Sequence, residues 1–357
     1  MEKYLKYKAK YYFLKKGGAD VNTQLIDALQ HNHLEVVQAL IANPNVNVNI
    51  RNANGDTALI VAAQHNHLEV VQALIANPDV DVNIQNIHGN TALMVAAINN
   101  HVNVVHALIG ATSISATRIN VNRRNTSGDT ALMHAAYFDL LGIVQALIKA
   151  SANVNIANNV GNTPLIVAAQ NGRLNIVQAL IAVDGINVNR RNTRGDTALI
   201  LAVDINHLDI VNALIDAGAN VNMQDNWGDT SLIYAAASGR LDIVQALIAV
   251  DGIDVNMQNN IGNTALIYAA ENNRVYIVQA LINASANVNR SNDLGNTALI
   301  CAAQYGQLGV VEALIGTRGI DIHIANNDGN TALMLAEQNI PINQEIVKLL
   351  RPDSASP

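Results

Sequence analysis

Apolar and polar positions follow one order along this chain, and the order returns about every 33 residues. One copy, residues 55–83, reads GDTALIVAAQHNHLEVVQALIANPDVDVN. An apolar run fills 58–63, and apolar residues return at Leu68, Val71 and Leu74 with helical spacing. This pattern predicts two short helices separated by a polar turn. An extended Val-Asn step and a turn that ends in Gly close the copy.

The phrase Gly-Asp/Asn-Thr-x-Leu marks the copies and occurs nine times. It begins at Gly55, Gly89, Gly128, Gly161, Gly195, Gly228, Gly262, Gly295 and Gly329. The spacing is 33 or 34 residues except for one step of 39, where IGATSISATRIN (109–120) carries five extra residues. A tenth copy without the phrase begins near Leu25. Because two short helices cannot bury their apolar faces alone, the copies are expected to stack.

Each copy also carries signals for where its first helix begins and ends. The Thr of the phrase precedes the apolar run, where its hydroxyl can accept a backbone N–H as an N-cap. The predicted end of the helix falls on residues that tolerate the left-handed conformation. These are Asn66, Asn100, Asp139, Gly172, Asn206, Gly239, Asn273 and Gly306.

The motifs GDTAL..AA, HLEVVQALI and AGANVN (217–222) resemble the ankyrin repeat family over about residues 10 to 351. The resemblance implies an all-α ankyrin-repeat solenoid, built of stacked helix-turn-helix units with β-hairpin-like turns. The family pattern is Thr-Pro-Leu-His. In this chain the Pro position of that pattern holds Pro only at Pro164, and the His position holds Ile or Met, as at Ile60 and Met94. The family's Thr–His hydrogen bond is therefore missing. We expect apolar burial to replace it, at the expense of the usual polar ladder between repeats.

Three segments follow from this pattern: a basic N-terminal segment (1–16), the repeat array (17–351) and a polar tail (352–357). Tyr4, Tyr7, Tyr11 and Leu14 favour a capping helix that packs on the first repeat while the Lys residues stay solvated. The alternative is an amphipathic helix that binds anionic membrane or nucleic acid. The opening Lys-Tyr-Leu-Lys-Tyr-Lys also resembles the N-termini of ankyrin proteins from giant DNA viruses.

Composition and charge narrow the class of protein. The chain is 50% hydrophobic and 14% charged, with a net charge of −7. Residues 1–16 contain six of the 21 basic residues and one of the 28 acidic residues. The other 341 residues therefore contain 15 basic and 27 acidic residues, which is a net charge of −12. This balance argues against nucleic-acid binding by the array. Neither a membrane-spanning run nor a secretory signal is predicted, and the lone Cys301 fits a reducing compartment, cytoplasmic or nuclear.

The sequence predicts no enzyme. Most of the ten His residues occupy repeat positions where sister repeats carry Asn, Arg or Gln, as at His65 and His207. His134 and Cys301 share a position that holds Val or Leu in other repeats, so both are interpreted as packing residues. No phosphate loop, carboxylate pair or metal-ligand spacing departs from the repeat. We therefore expect no catalytic residues, no cofactor and no metal.

One repeat breaks the rule at the end of its first helix. Tyr137, Phe138 and Leu140 stand where sister repeats carry mostly small or polar residues, in a chain that is 3% aromatic. The family resemblance implies that partners bind the turn residues around the Gly and the exposed end of the first helix, which line a concave face. Residues that deviate at these positions are the candidates for partner binding. They are Tyr137, Phe138, Leu140, Asp204, Ile205, Trp227, Arg194, Ile98 and Tyr305. The opposing interpretation is that the aromatic residues fold back onto repeats 3 and 5.

The preferred function is a non-catalytic, monomeric scaffold that binds a protein on its concave face around repeats 3 to 7. The viral resemblance implies that the partner belongs to a host cell. The alternative is an anchoring or regulatory protein whose basic N-terminus binds membrane or nucleic acid, with the array as a spacer. Deletion of residues 1–10 separates the two, because partner capture survives it in the first case and localisation is lost in the second.

Overall fold

The computed structural model describes residues 21–111, 118–338 and 343–351. Within these ranges the chain forms twenty α-helices, and no strand longer than an isolated bridge. The chain divides into two compact units, Met1–Asn187 and Val188–Pro357. The expected capping segment 1–16, the centre of the long insertion (112–117) and the tail 352–357 lie outside the described residues.

The first unit contains ten helices, which alternate between a first and a second helix of successive repeats. They are α1 (Val21–Gln30), α2 (Leu34–Ile41), α3 (Ala58–Gln64), α4 (Leu68–Ile75), α5 (Ala92–Ile98), α6 (Val102–Gly110), α7 (Ala131–Tyr137), α8 (Leu141–Lys149), α9 (Pro164–Gln170) and α10 (Leu174–Ile181).

The second unit contains ten more helices in the same alternation. They are α11 (Ala198–Asp204), α12 (Leu208–Asp216), α13 (Ser231–Ser238), α14 (Leu241–Ile248), α15 (Ala265–Glu271), α16 (Val275–Asn283), α17 (Ala298–Gln304), α18 (Leu308–Ile315), α19 (Ala332–Gln338) and α20 (Gln344–Leu350). Pairs of short helices, rather than long ones, are what the repeat pattern predicts.

The capping signals are confirmed. In α11, for example, the Thr197 hydroxyl accepts the backbone N–H of Ile200 at 3.2 Å, and Thr57 does the same for Ile60 at 3.3 Å. All eight residues expected at the end of a first helix have a positive φ, from 56° at Asn273 to 75° at Gly239. The turns form hairpin-like bridges at several repeats, such as Gln224 with Thr230.

The core of each unit lies between helices of consecutive repeats. First helices pack on first helices and second helices on second helices, as α15 does on α17 and α16 on α18. The Ala pairs of the first helices, such as Ala269 and Ala270, are fully buried. Small side chains let neighbouring helices approach closely, and the Leu, Ile and Val residues fill the layer between them.

Apolar burial at the His position is confirmed, since Ile60 and Met94 are each 1% exposed, but a polar ladder also joins the repeats and is not lost. The side-chain amide of Asn259 donates to the Asp229 carboxylate of the preceding repeat at 2.8 Å. The Asn292 amide donates in the same way to Asn263, also at 2.8 Å. The residues of the turn therefore supply polar contacts between repeats, although the Thr–His pair is missing.

The Val-Asn step forms a second ladder. In the second unit, Asn222 donates to the carbonyl of Gly252 at 2.8 Å and accepts the backbone N–H of Asp254 at 2.9 Å. Asn289 makes the equivalent pair with Gly319 and Asp321. Each of these amides thus satisfies two backbone groups of the next repeat, which no apolar side chain could do.

Candidate functional site

The aromatic break in the repeat lies at the C-terminal end of α7. Tyr137 is the last residue of this helix and Phe138 is its C-cap. Their rings meet edge to face, with centroids 5.0 Å apart and an interplanar angle of 86°. Tyr137 is 51% exposed and Phe138 46%, so neither ring is buried against a neighbouring repeat. The pair is a preassembled aromatic surface, a geometry that aromatic rings favour.

Leu140 differs from the two aromatic residues beside it. It is half-buried at the N-terminus of α8, and its backbone N–H donates to the carbonyl of Ala135 at 2.9 Å. Asp139 lies between them with a φ of 61°, and its carboxylate is 4.0 Å from Arg173 of the next repeat. Leu140 therefore belongs partly to the hairpin turn, while Tyr137 and Phe138 face solvent.

Ile98 occupies the same position in the preceding repeat as Tyr137. It is the last residue of α5, which packs on α7, and its side chain is half-buried. The equivalent residue in the second unit is Asp204, which is exposed at the end of α11. Ile205 follows as the C-cap of α11 and is half-buried. These residues have the positions that the sequence predicts for them, but their exposures differ.

The turn tips of the second unit carry apolar side chains just before the glycine. Trp227 is 54% exposed, and its backbone N–H donates to Asp225 at 2.8 Å, which fixes the turn. Ile261 and Leu294 occupy the same position in the next two repeats and are also exposed. Arg194, the tip residue of the repeat before, forms a 2.9 Å ion pair with Asp196.

Ile261 and Leu294 occupy the same turn position as Trp227 and Arg194, but only the latter two are among the residues predicted to bind a partner. The signal was available, because Ile261 and Leu294 directly precede the phrase glycine, where other repeats carry Ser127 or Asp328. What the sequence did not reveal is that these two side chains line a common cleft.

This cleft has a volume of about 340 Å³ and lies between two consecutive repeats of the second unit. Ile261, Leu294 and Tyr305 form part of its wall, together with the carboxylates of Glu271 and Asp293. Tyr305 is the C-cap of α17 and one of the residues that the sequence predicts to bind a partner. In the structure its neighbours in the cleft are apolar side chains and carboxylates.

The position shared by His134 and Cys301 carries a polar side chain in two further repeats. Tyr234 and Tyr268 also occupy it, and the Tyr234 hydroxyl donates to Asp225 at 2.7 Å. Burial raises the pKa of the Tyr234 hydroxyl, and this hydrogen bond raises it further. The ring of His134 lies 3.3 Å from the side-chain amide of Asn125, and burial lowers its pKa.

Cys301 is 5% exposed on α17. Burial, and then the charge of Glu271, raise the pKa of its thiol to about 12. A protonated thiol is a poor nucleophile, so this environment is that of a packing residue. The prediction that Cys301 packs on its helix is confirmed.

Over 21–111, 118–338 and 343–351, His, Cys, Asp and Glu do not come together in any group of three that could hold a metal ion. In the same ranges, none of the helices is long and apolar enough to cross a membrane.

The family model for ankyrin repeats (three copies) matches the chain at residues 25–120, 113–192, 184–259, 251–326 and 292–357. Stacked helix pairs joined by hairpin-like turns are the architecture that this match implies, and the chain belongs to the ankyrin repeat family. Arrays of this family are protein–protein interaction scaffolds and are generally non-catalytic. No curated protein sequence matched the chain.

Proposed function

We propose that this scaffold binds a protein partner through the first-helix ends and turn tips, with Tyr137 and Phe138 as its principal anchors in the first unit. One observation carries the proposal: two adjacent aromatic rings, packed on each other, remain about half exposed at positions where most sister repeats carry small or polar residues. Aromatic residues in such settings form the energetic centres of interfaces. Ile98 in the neighbouring repeat adds a half-buried apolar side chain at the equivalent position.

In the second unit, first-helix ends and turn tips carry Trp227, Ile205 and Tyr305, with Asp204 and Arg194 as charged contributors to specificity. A partner that buries Trp227 would gain a large apolar area and could also bond the indole N–H. The two units supply separate anchors, so a partner with two binding segments would gain avidity.

We infer from the sequence that the partner is a protein of a host cell and that the scaffold acts as a monomer in the cytoplasm or nucleus. The resemblance of residues 3–8 to viral ankyrin proteins and the single cysteine support this inference. Expression of the tagged chain in a eukaryotic cell, with imaging and a measured solution mass, tests location and oligomeric state separately.

Quantitative affinity capture from cells tests the binding surface. The bait is the full chain, compared with a Tyr137→Gln/Phe138→Asn variant that carries residues from sister repeats. The matched control is Tyr276→Gln, since Tyr276 is 76% exposed but lies on the second helix α16. Captured proteins that are lost with the double variant and kept with the control support the proposal. Equal capture by all three baits refutes it.

A further inference from the structure

The cleft between the repeats of α15 and α17 combines apolar walls with uncompensated negative charge. Ile261 and Leu294 project from consecutive turn tips, and Leu294 is 66% exposed. With Trp227 they make three successive apolar tips in this unit. A single exposed apolar residue is ordinary, but several around one cleft mark a binding surface.

The charge in this cleft comes from Glu271 and Asp293. Glu271 ends α15 and is half-buried, while Asp293 is exposed at the turn tip. Among the residues that the structure describes, no Lys or Arg lies within ion-pair distance of either carboxylate, and no basic residue lines the cleft. The whole second unit, with 9 basic and 17 acidic residues, has a net charge of −8. A cationic group of a partner would complement the charge of these two carboxylates.

Tyr305 adds an aromatic ring beside one of these carboxylates. Tyr305 and Glu271 both line this cleft, and the charge of Glu271 raises the pKa of the Tyr305 hydroxyl. A guanidinium can pair with a carboxylate and stack on an aromatic ring at the same time, whereas an ammonium is more strongly hydrated and lacks the planar fork. The cleft therefore suits Arg better than Lys.

We propose that this cleft binds a short segment of a partner protein that presents an arginine between two apolar side chains. The guanidinium meets Glu271 and Tyr305, Asp293 adds attraction at the rim, and the flanking apolar side chains cover Ile261 and Leu294. The proposal deepens the proposed function, on which it rests, by giving the chemistry of a segment recognised in the second unit. An acidic or phosphorylated segment would face repulsion from both carboxylates.

Selection from a random peptide library displayed on phage, with the full chain as target, tests this recognition. The enriched peptides are then synthesised with a fluorophore, and their Kd values are measured for the wild type and four variants. Glu271→Gln removes the charge and keeps a side chain that sister repeats carry at Gln170 and Gln304. Leu294→Ser removes the apolar wall and introduces the residue that another repeat carries at Ser127. Glu312→Gln, on the exposed side of α18, is the control for loss of one negative charge.

We expect enriched peptides to share an arginine flanked by apolar residues. Their Kd should rise about tenfold or more with Glu271→Gln, because a charge-assisted contact is lost, and rise also with Leu294→Ser. The Glu312→Gln variant should bind as the wild type does. Peptides without a basic residue, equal binding by Glu271→Gln, or a selection that enriches nothing would overturn the proposal. Circular dichroism of each variant verifies folding. If Glu271→Gln fails to fold, the binding of the peptides by Leu294→Ser still tests the cleft.

The fourth variant, Tyr137→Gln/Phe138→Asn, separates this proposal from the proposed function. If it binds the selected peptides normally while Glu271→Gln does not, the cleft acts independently of the aromatic pair. If the double variant also captures every cellular protein that the wild type captures, the role of the aromatic pair fails while the cleft stands.

Discussion

The side-chain oxygen of Asn222 accepts the backbone N–H of Asp254 at 2.9 Å, and this contact joins two consecutive repeats. The amide nitrogen of the same side chain donates to the carbonyl of Gly252 at 2.8 Å. One residue thus supplies two hydrogen bonds across a repeat boundary, at a step where the backbone is neither helix nor strand. The ladder gives a structural reason for the recurrence of the Val-Asn dipeptide from repeat to repeat.

Substitution of Asn222 by Ala is expected to lower the free energy of unfolding by about 1–2 kcal/mol. Two inter-repeat hydrogen bonds are lost, each with a net value near 1 kcal/mol, and both lie in exposed positions where water partly replaces them. Urea unfolding measures the change. Asn212→Ala on the exposed side of α12 is the control and should be nearly neutral. Equal effects of the two substitutions would mean that the ladder adds no stability.

Substitution of Thr197 by Ala should cost roughly 1 kcal/mol, because the hydroxyl that caps α11 is lost. Thr197→Ser keeps a capping hydroxyl and should retain most of the stability. Since repeats are stabilised by their neighbours, α13 should also exchange its amide hydrogens faster in the Ala variant. Hydrogen exchange that changes only within the mutated repeat would contradict this coupling.

His134 should make the protein less stable as the pH falls. Burial lowers the pKa of its ring below the ordinary value of 6.5, so the unfolded chain takes up the proton first. The loss in free energy of unfolding is absent well above pH 6.5 and grows as the pH falls through that value. His134→Val, with the residue found at Val95 and Val167, should lose less stability between about pH 7.5 and 5.5 than the wild type does. Urea midpoints at both pH values give the comparison, and parallel losses would exclude His134 as the cause.

Cys301 should react with iodoacetamide only when its repeat opens. Its thiol is buried, and its pKa near 12 leaves almost no thiolate at about pH 8. Labelling of the native protein should be slower than labelling in urea by on the order of a hundredfold or more. Because the chain has one cysteine, intact mass reports this site alone. Native labelling at the rate of the unfolded chain would show that α17 does not protect the thiol.

The sequence predicted the regular part of the fold and much less of its surface. Helix pairs, Thr caps and left-handed helix ends depend on local residue types, so repetition of those types revealed them. The ladder through Asn259 and Asp229 escaped prediction because it joins residues 30 positions apart across a repeat boundary. The cleft escaped for the same reason, since Ile261 and Tyr305 come from different repeats. Periodicity shows which positions are equivalent but not which of them meet.

The solvent exposure of neighbouring side chains in one repeat also could not be predicted from the sequence. Leu140 and Phe138 are two residues apart, and the sequence predicts that they belong to one surface. The turn between them, with Asp139 at positive φ, points Leu140 partly into the hairpin and leaves Phe138 outside. A residue's place in the repeat is therefore known from sequence, whereas its access to a partner requires the structure.

Because Leu140 is half-buried and the aromatic pair is exposed, substitutions at the two places should have different effects on stability and on binding. Leu140→Arg introduces a residue that Arg173 and Arg240 show to be compatible with the repeat, but it removes half-buried apolar area and should lower the melting temperature. Tyr137→Gln/Phe138→Asn removes side chains that are about half exposed and should leave the melting temperature nearly unchanged. Once a partner has been captured, the double variant should bind it more weakly by 2 kcal/mol or more, about thirtyfold, because buried aromatic anchors dominate interfaces. Thermal melting and titration calorimetry on the two variants measure both effects. If the double variant melts early and still binds its partner, the aromatic pair is part of the core, and Trp227 becomes the next residue to test.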